Sequence, residues 1–497
     1  MLRFTPALFL LIGTMVHAQV PDAAFGTNGI ARLALPGNNV HVFDLIVQDD
    51  GRLVAAGYLD STASRHTAVG LALQADGAWD AGFVNGGIYR DFTTETDQMF
   101  HRIQRAPDNT GDVFLSGSLQ VFSYDWNGLG VARLHADGTP ADFGFDGTRV
   151  FDVTICTDKH GQGAYVRPNG KVFLFGHGNW GGGSRVCAFA STAANGLNDI
   201  DFAGGSASNT VDMTGSSDYS WDAITDASNR FLVVVGQSAS ANVIRLDAEG
   251  YRDYGYNGDG SYYVGTRAHR IGPWPGGKFV VVGSGDGGAV DGGVVARLNA
   301  NGTPDETFGP EGKRTYTWPD SNTVFTDFAW DAEGRLVLSG HRTNVFFSGS
   351  RGILVRLLAN GDLDPSFGTG GLYYVPHPAE RQECGVALGN NGRIYFTSGS
   401  DLSDTAYVSC YTTDLTTGSA TEADRPLLRV WPSPAVDRVF VAGSSDQVIP
   451  RVFDVTGRPL DTPLMRSGAH WILNVAVLSK GTYIVQLGRG VARFVKE

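Results

Sequence analysis

Four cysteines, 11 histidines and 51 acidic side chains are the groups in this 497-residue chain that can ligate a metal, attack an ester or move a proton. Their spacing excludes most of that chemistry. No two cysteines stand as Cys-x-x-Cys, the spacing of a zinc or redox site, and no His-Glu-x-x-His or Gly-x-Ser-x-Gly occurs. Two Gly-x-Gly-x-x-Gly runs are present, at Gly176, Gly178, Gly181 and at Gly283, Gly285, Gly288. A dinucleotide fingerprint must open a helix whose first amides hold the pyrophosphate. Here the next segments, 185–189 and 294–298, read as strands, so both runs are hairpin loops.

The remaining candidates are weaker. His66, His101, His160, His177 and His377 fall in predicted loops or strand ends and read as solvated. The acidic loops 253–259 and 286–291 offer oxygen ligands to Ca²⁺ but lack the alternate-acid spacing of a dedicated calcium loop. No cofactor is therefore expected, and calcium is the one ion to consider. Arg133, Arg245, Arg297 and Arg356 recur at one place in the sequence pattern. They would either ring a channel with charge or, the better reading, make one structural ion pair per unit with a following Asp. Phe122, Tyr124, Trp126 and Trp180 sit in long hairpin loops, where exposed rings stack on sugars or peptides, or pack under their own loops.

What must position these groups is a repeat. A basic residue, an apolar run and a closing glycine recur, with the glycines at 57, 117, 176, 236, 283, 340 and 399. A second phrase, Arg-Leu and then Asp/Asn/Glu-Gly, follows in phase, as in Arg297-Leu298 before Asn301-Gly302. A third, Asp-x-x-Phe-Gly-x-x-Gly, stands at Asp22, Asp305 and Asp364, with degenerate copies around Phe83, Phe143, Phe202 and Tyr254. Gly contributes 67 residues, close to twice its usual share of ~7%. Each unit holds about four apolar runs between turn signals, and none shows a sustained helical period. Runs such as 231–235 are apolar on both faces and need cover on both sides. Seven units of about 57 residues predict an all-β, seven-bladed β-propeller; the coils of a β-solenoid are usually shorter. If blade and unit boundaries differ, the N-terminal strand closes the ring.

The ends carry an address. Residues 1–18, with Arg3, an apolar run and Val16-His17-Ala18, read as a secretory signal peptide. No other stretch is long and apolar enough for a membrane helix. After a propeller at 19–418 and a linker at 419–426, residues 427–497 alternate in the manner of a small β-sandwich. The net charge of −13 argues against sequence-independent nucleic-acid binding.

The three phrases together resemble delta-60 repeats of exported bacterial proteins, a family with no shared catalytic set. The C-terminal segment, with Trp431-Pro432-Ser433-Pro434, Asp454-Val455-Thr456-Gly457-Arg458 and Gly481-Thr482-Tyr483, is similar to the type A C-terminal sorting domain of the type IX secretion system. That resemblance implies passage through the periplasm and delivery by the type IX machinery to the cell surface or beyond. The expected protein is a non-enzymatic, monomeric binding scaffold for an extracellular glycan or protein. The competing reading is a glycan hydrolase or lyase with its site at the channel mouth.

In an oxidising compartment four cysteines favour disulfides. Cys187 and Cys410 hold nearly one register before the turns at Gly196 and Gly418, and Cys156 and Cys384 lie upstream in the same units. The pairing Cys156–Cys187 and Cys384–Cys410 stays within single units, although strands two apart lie ~9.5 Å from each other, beyond the ~7 Å reach of a disulfide.

Overall fold

The computed structural model describes the chain except residues 1–19, 37, 63–64, 91–96, 121–126, 155, 181–183, 214–216, 238–239, 286–289, 320, 345–349, 379–383, 390–391, 400–404, 413–429, 432, 443–449, 455–458, 461, 468–469 and 488–489. The segments read as signal peptide and linker lie outside the described residues. The chain divides into two compact units, Met1–Asp414 and Leu415–Glu497. No helix among the described residues is long and apolar enough to cross a membrane.

The first unit is a β-propeller. Its described residues form seven antiparallel sheets, six of four strands and one of five. The innermost strands of blades 1 to 7 are Asn39–Val47, Met99–Arg105, Thr157–Val166, Tyr219–Thr225, Arg267–Trp274, Ser321–Trp330 and Val386–Leu388. Each packs against the innermost strand of the next blade, and the seventh against the first. Blade 7 takes its outer edge from the other end of the unit: Val20–Pro21 and Ile30–Leu33 both pair with Ala406–Thr412.

The two-faced apolar strands follow from this stacking. Phe231, Val233 and Val235 enter the core between blades 3 and 4, while Leu232 and Val234 enter the core between blades 4 and 5. The aromatic of the third phrase is buried between blades each time, as Phe25, Phe83, Phe143, Phe202, Tyr256, Phe308 and Phe367. In blade 4 that residue is Tyr256; Tyr254, which the sequence pattern suggested, is 68% exposed.

The phased glycine has a steric cause. In blades 1, 2, 3, 5 and 6 the innermost strand carries a β-bulge opposite it, and in blade 4 the bulge lies one residue further on, opposite Val235. A Cβ at Gly57 would lie 1.8 Å from the carbonyl oxygen of His41, and one at Gly340 2.0 Å from that of Val324. Only a residue without a side chain fits there.

The second unit is a β-sandwich of two four-stranded sheets. Val439, Val441, Val452, Leu473, Val485 and Phe494 fill its core. The amide of Val495 donates to Ser433 Oγ at 3.1 Å, which ties the turn of the first motif to the last strand.

Candidate functional site in the propeller channel

The bulges build the channel wall. A bulge re-aims the residue that follows it, and in blades 1 to 6 that residue is Asp44, Arg102, Gly163, Asp222, Arg270 and Asp327. Gly385 holds the corresponding place in blade 7, one residue before Val386, whose amide donates to Asp327 Oδ2 at 3.0 Å. Asp44 and Asp222 staple their neighbours in the same way. Ile103 N donates to Asp44 Oδ2 at 3.1 Å, and Ile271 N to Asp222 Oδ2 at 2.9 Å.

Arg270 bridges the channel. Its Nη2 meets Asp44 Oδ1 at 2.8 Å and its Nε meets Asp327 Oδ1 at 2.7 Å. Burial opposes the charge of this guanidinium, but the fields of Asp327, Asp44 and Asp222 outweigh it and hold it firmly protonated. Burial also raises the carboxyl of Asp222, against the fields of Arg270 and Arg102. Arg102 reaches across the channel, donating from Nη2 to the carbonyls of His269 at 3.2 Å and Trp221 at 3.3 Å.

This ring of charge separates two spaces. On the side of the Asp-Gly turns lies a chamber of about 280 Å³, floored by Asp44, Arg102, Asp222, Arg270 and Asp327. On the side of the hairpin tips a space of about 10 Å³ remains beside Arg102, His269, Arg270 and Asp327, the room of about one water.

The hairpin-tip side is a histidine and aromatic mouth. The extra residues of the bulges are Phe43, His101, Gln162, Trp221, His269 and Thr326, of which Phe43, His269 and Thr326 border the small space. Phe43 stacks on His101 at 4.8 Å, His160 on His177 at 5.2 Å, and His177 meets Tyr219 edge-on at 4.7 Å. Burial pushes His101, His177 and His269 down to about 3, and His341 to about 4, so these imidazoles are neutral. Beside them His41 Nε2 lies 2.9 Å from Asp60 Oδ2, and His66 bridges Asp60 and Asp97 at 3.1 and 3.2 Å.

Several sequence expectations change here. His101 and His177 are packed into the mouth wall instead of solvated, and the side chain of His377 lies outside the described residues. Of the loop aromatics, Trp180 ends a blade-3 strand at the hairpin tip and is 53% exposed. Phe122, Tyr124 and Trp126 lie outside the described residues, between the strands Val113–Gln120 and Asn127–Leu134 in sequence. In the 253–259 loop Asp253 is bound to Arg245 and the amide of Gly255, and Asp259 to Ser261, so no carboxylate cage forms there. Among the described residues no group of three potential metal ligands stands together.

The disulfides are a correction. Cys156, Cys187, Cys384 and Cys410 are buried and not joined in disulfides. Alternation along the sheet explains it: the members of each expected pair face opposite sides of their blade. Cys156 lies in the core of blades 2 and 3, and Cys187 in that of blades 3 and 4. Cys384 lies between blades 6 and 7, and Cys410 between 7 and 1. Burial raises the Cys410 thiol to about 12 and Cys187 also well above its usual range, which leaves both unreactive.

The repeated arginines are structural. Arg245, Arg297 and Arg356 pair with Asp253, Asp305 and Asp364 at 2.7, 2.6 and 2.8 Å. Arg133 instead meets Asp112 and Asp108, because Ala141 occupies the Asp position of blade 2. The sequence reading missed the channel ring. Its trace is a residue 13 to 15 positions before each phased glycine, such as Asp44 before Gly57 and Arg102 before Gly117.

With this geometry in hand, the family matches fall into place. Residues 275–308 and 332–367 match a domain of unknown function, the DUF5122 β-propeller, and residues 429–497 match the secretion system C-terminal sorting domain. The chain thus carries DUF5122 propeller repeats and a type IX sorting tail, which directs secretion to the cell surface or extracellular space through the type IX machinery. Among curated proteins none matches this chain. Among solved structures it is similar to PorZ, a surface component of the type IX secretion system of Porphyromonas gingivalis, at 14% identity and TM-score 0.33. That match covers 94% of this chain but only 60% of PorZ. It is also similar to virginiamycin B lyase from Staphylococcus aureus, at 12% identity and TM-score 0.40, covering 76% of this chain and 98% of that one. A third likeness is to the α-L-arabinofuranosidase Arb93A of Fusarium graminearum, at 10% identity and TM-score 0.43, covering 79% and 96%. None of these likenesses bears on ligand or activity.

Proposed function

We propose that this exported propeller is a non-catalytic binding scaffold that holds an extracellular glycan or protein at its histidine and aromatic mouth. One observation carries the reading: of the three ring carboxylates only Asp222 stays outside the ion pairs, so the ring offers no pair of free carboxylates. Asp44, Asp222 and Asp327 each accept the amide of the next blade, and Arg270 also holds Asp44 and Asp327. Glycoside hydrolysis needs two carboxylates with one free to donate or attack, ~5–10 Å apart. Asp222, whose carboxyl burial raises, is the residue that favours the competing hydrolase or lyase reading. The test is to incubate the purified protein with surface glycans and peptides and to measure both retention and products by mass spectrometry. Retention without product is expected. A product that disappears in Asp222→Asn would overturn the scaffold reading.

A further inference from the structure

Two charges of the ring stay outside its ion pairs. Arg270 joins Asp44 to Asp327, whereas neither Arg102 nor Asp222 forms an ion pair among the described residues. Both line the 280 Å³ chamber. They stand on blades 2 and 4, and between them blade 3 presents Gly163, where a Cβ would fall 2.5 Å from Arg102 Cγ. The missing side chain gives the arginine its path across the channel. Arg102 Nε is buried there with no hydrogen-bond partner. Beside the polar Gln104 and Tyr165, the chamber wall presents the apolar side chains of Ile103, Ala164, Ile224 and Ile271.

We propose that this chamber binds a small zwitterion of the amino-acid type. Its ammonium would sit on Asp222, its carboxylate on Arg102, and a short apolar side chain against Ile103, Ile224 and Ile271. The charge balance selects this class. Asp222 and Arg102 already act on each other through their fields, so a simple cation on Asp222 or a simple anion on Arg102 would unbalance them, and unbalanced buried charge is costly. A zwitterion answers both, with the guanidinium matched to a carboxylate. The proposal rests on reading the propeller as a binding protein, but its chamber opens on the face opposite the histidine mouth.

The experiment is calorimetric titration of the full chain with glycine, alanine, valine and leucine, and with two half-analogues of leucine. One is 3-methylbutylamine, which lacks the carboxylate, and the other is 4-methylpentanoate, which lacks the ammonium. At least one amino acid should bind, and each half-analogue should bind at least about tenfold more weakly than leucine, the ~1.4 kcal/mol that corresponds to one decade. Asp222→Asn and Arg102→Gln should each weaken binding by a similar factor, with thermal unfolding confirming that the variants fold. If a variant does not fold, the half-analogue series on the unaltered protein decides. No binding by any of the four amino acids, or a half-analogue that binds as tightly as leucine, overturns the proposal. Retention of a glycan or protein at the mouth would survive that failure, so the two readings fail separately.

Discussion

The rim of the propeller and the inner wall of its channel use aspartate and arginine to different ends. At the rim an Asp three residues before the buried aromatic collects cations from its own blade, and the arrangement recurs. Asp305 receives Lys278 and Arg297, Asp364 receives Arg356, Asp80 receives Arg52, Asp199 receives Lys171 and Arg167, and Asp22 receives Arg393. On the inner wall one place in the bulge reads Asp, Arg, Gly, Asp, Arg, Asp, Gly around the ring. The backbone repeats while the chemistry does not. In a repeat protein, chemistry that recurs belongs to the scaffold, and chemistry that varies at a recurring place marks where the molecule differs from its own repeat.

Acidification should separate the two regions most strongly. Burial holds His101, His177 and His269 near 3 and His341 near 4, whereas an unfolded chain titrates histidine at about 6.5. Below about pH 6.5 the unfolded state binds more protons, so the stability they confer is complete above that pH and falls as pH drops. The loss amounts to about 2 kcal/mol per histidine by pH 5. The rim responds later. Burial alone would raise the Asp305 carboxyl, but hydrogen bonds from Lys278, Thr307 and Arg297 pull it far below the usual carboxylate range. Its stabilisation is present above the unfolded value of about 4 and is lost only below it. Urea unfolding followed from neutral to acidic pH should show these two stages. A flat profile between about pH 7 and 5 would erase the distinction.

Next comes removal of one arginine from each region. Arg270→Met strands Asp44 and Asp327 as buried carboxylates and should cost about 3–5 kcal/mol in urea unfolding. Arg297→Met leaves Lys278 on Asp305 and should cost about 1–2 kcal/mol. Equal losses would show the inner ring to be no more demanding than the rim. A smaller effect, about 2–3 kcal/mol, is expected for Gly340→Ala, whose Cβ must displace the bulged backbone that aims Asp327. The least is expected at the hairpin tip. Trp180→Ala should change stability by under about 0.5 kcal/mol while reducing ligand retention at the mouth. Unchanged retention would remove this tryptophan from the binding surface.

The scaffold was legible because its causes are local. The phased glycines report a steric requirement, the Asp-x-x-Phe phrase a buried ring and an ion pair, and the two-faced runs a stacked sheet. The ring escaped because one extra residue per strand inverts the expected alternation, so Asp44, Arg102 and Asp222 face the channel through a bulge that no single residue announces. The cysteines were misplaced for a related reason. Counting from the turns placed Cys187 and Cys410 on equivalent strands, but their partners attach to the other face. In blade 4 an aromatic two positions from the correct one stood in for it, because Tyr254 and Tyr256 look alike until burial is known.

The outer edge of blade 7 sets an order of events. Its strands Val20–Pro21 and Ile30–Leu33 are made first, and their partner Ala406–Thr412 is made last in the propeller. Closing so long a loop adds little entropy, since each doubling of length costs only about 0.6 kcal/mol. The consequence is kinetic: contacts so distant in sequence form slowly, and until they form the last blade exposes an unpaired edge. The clasp cannot fasten until both ends of the propeller lie together. The circle then becomes a record of completion, locked only when the whole propeller is present.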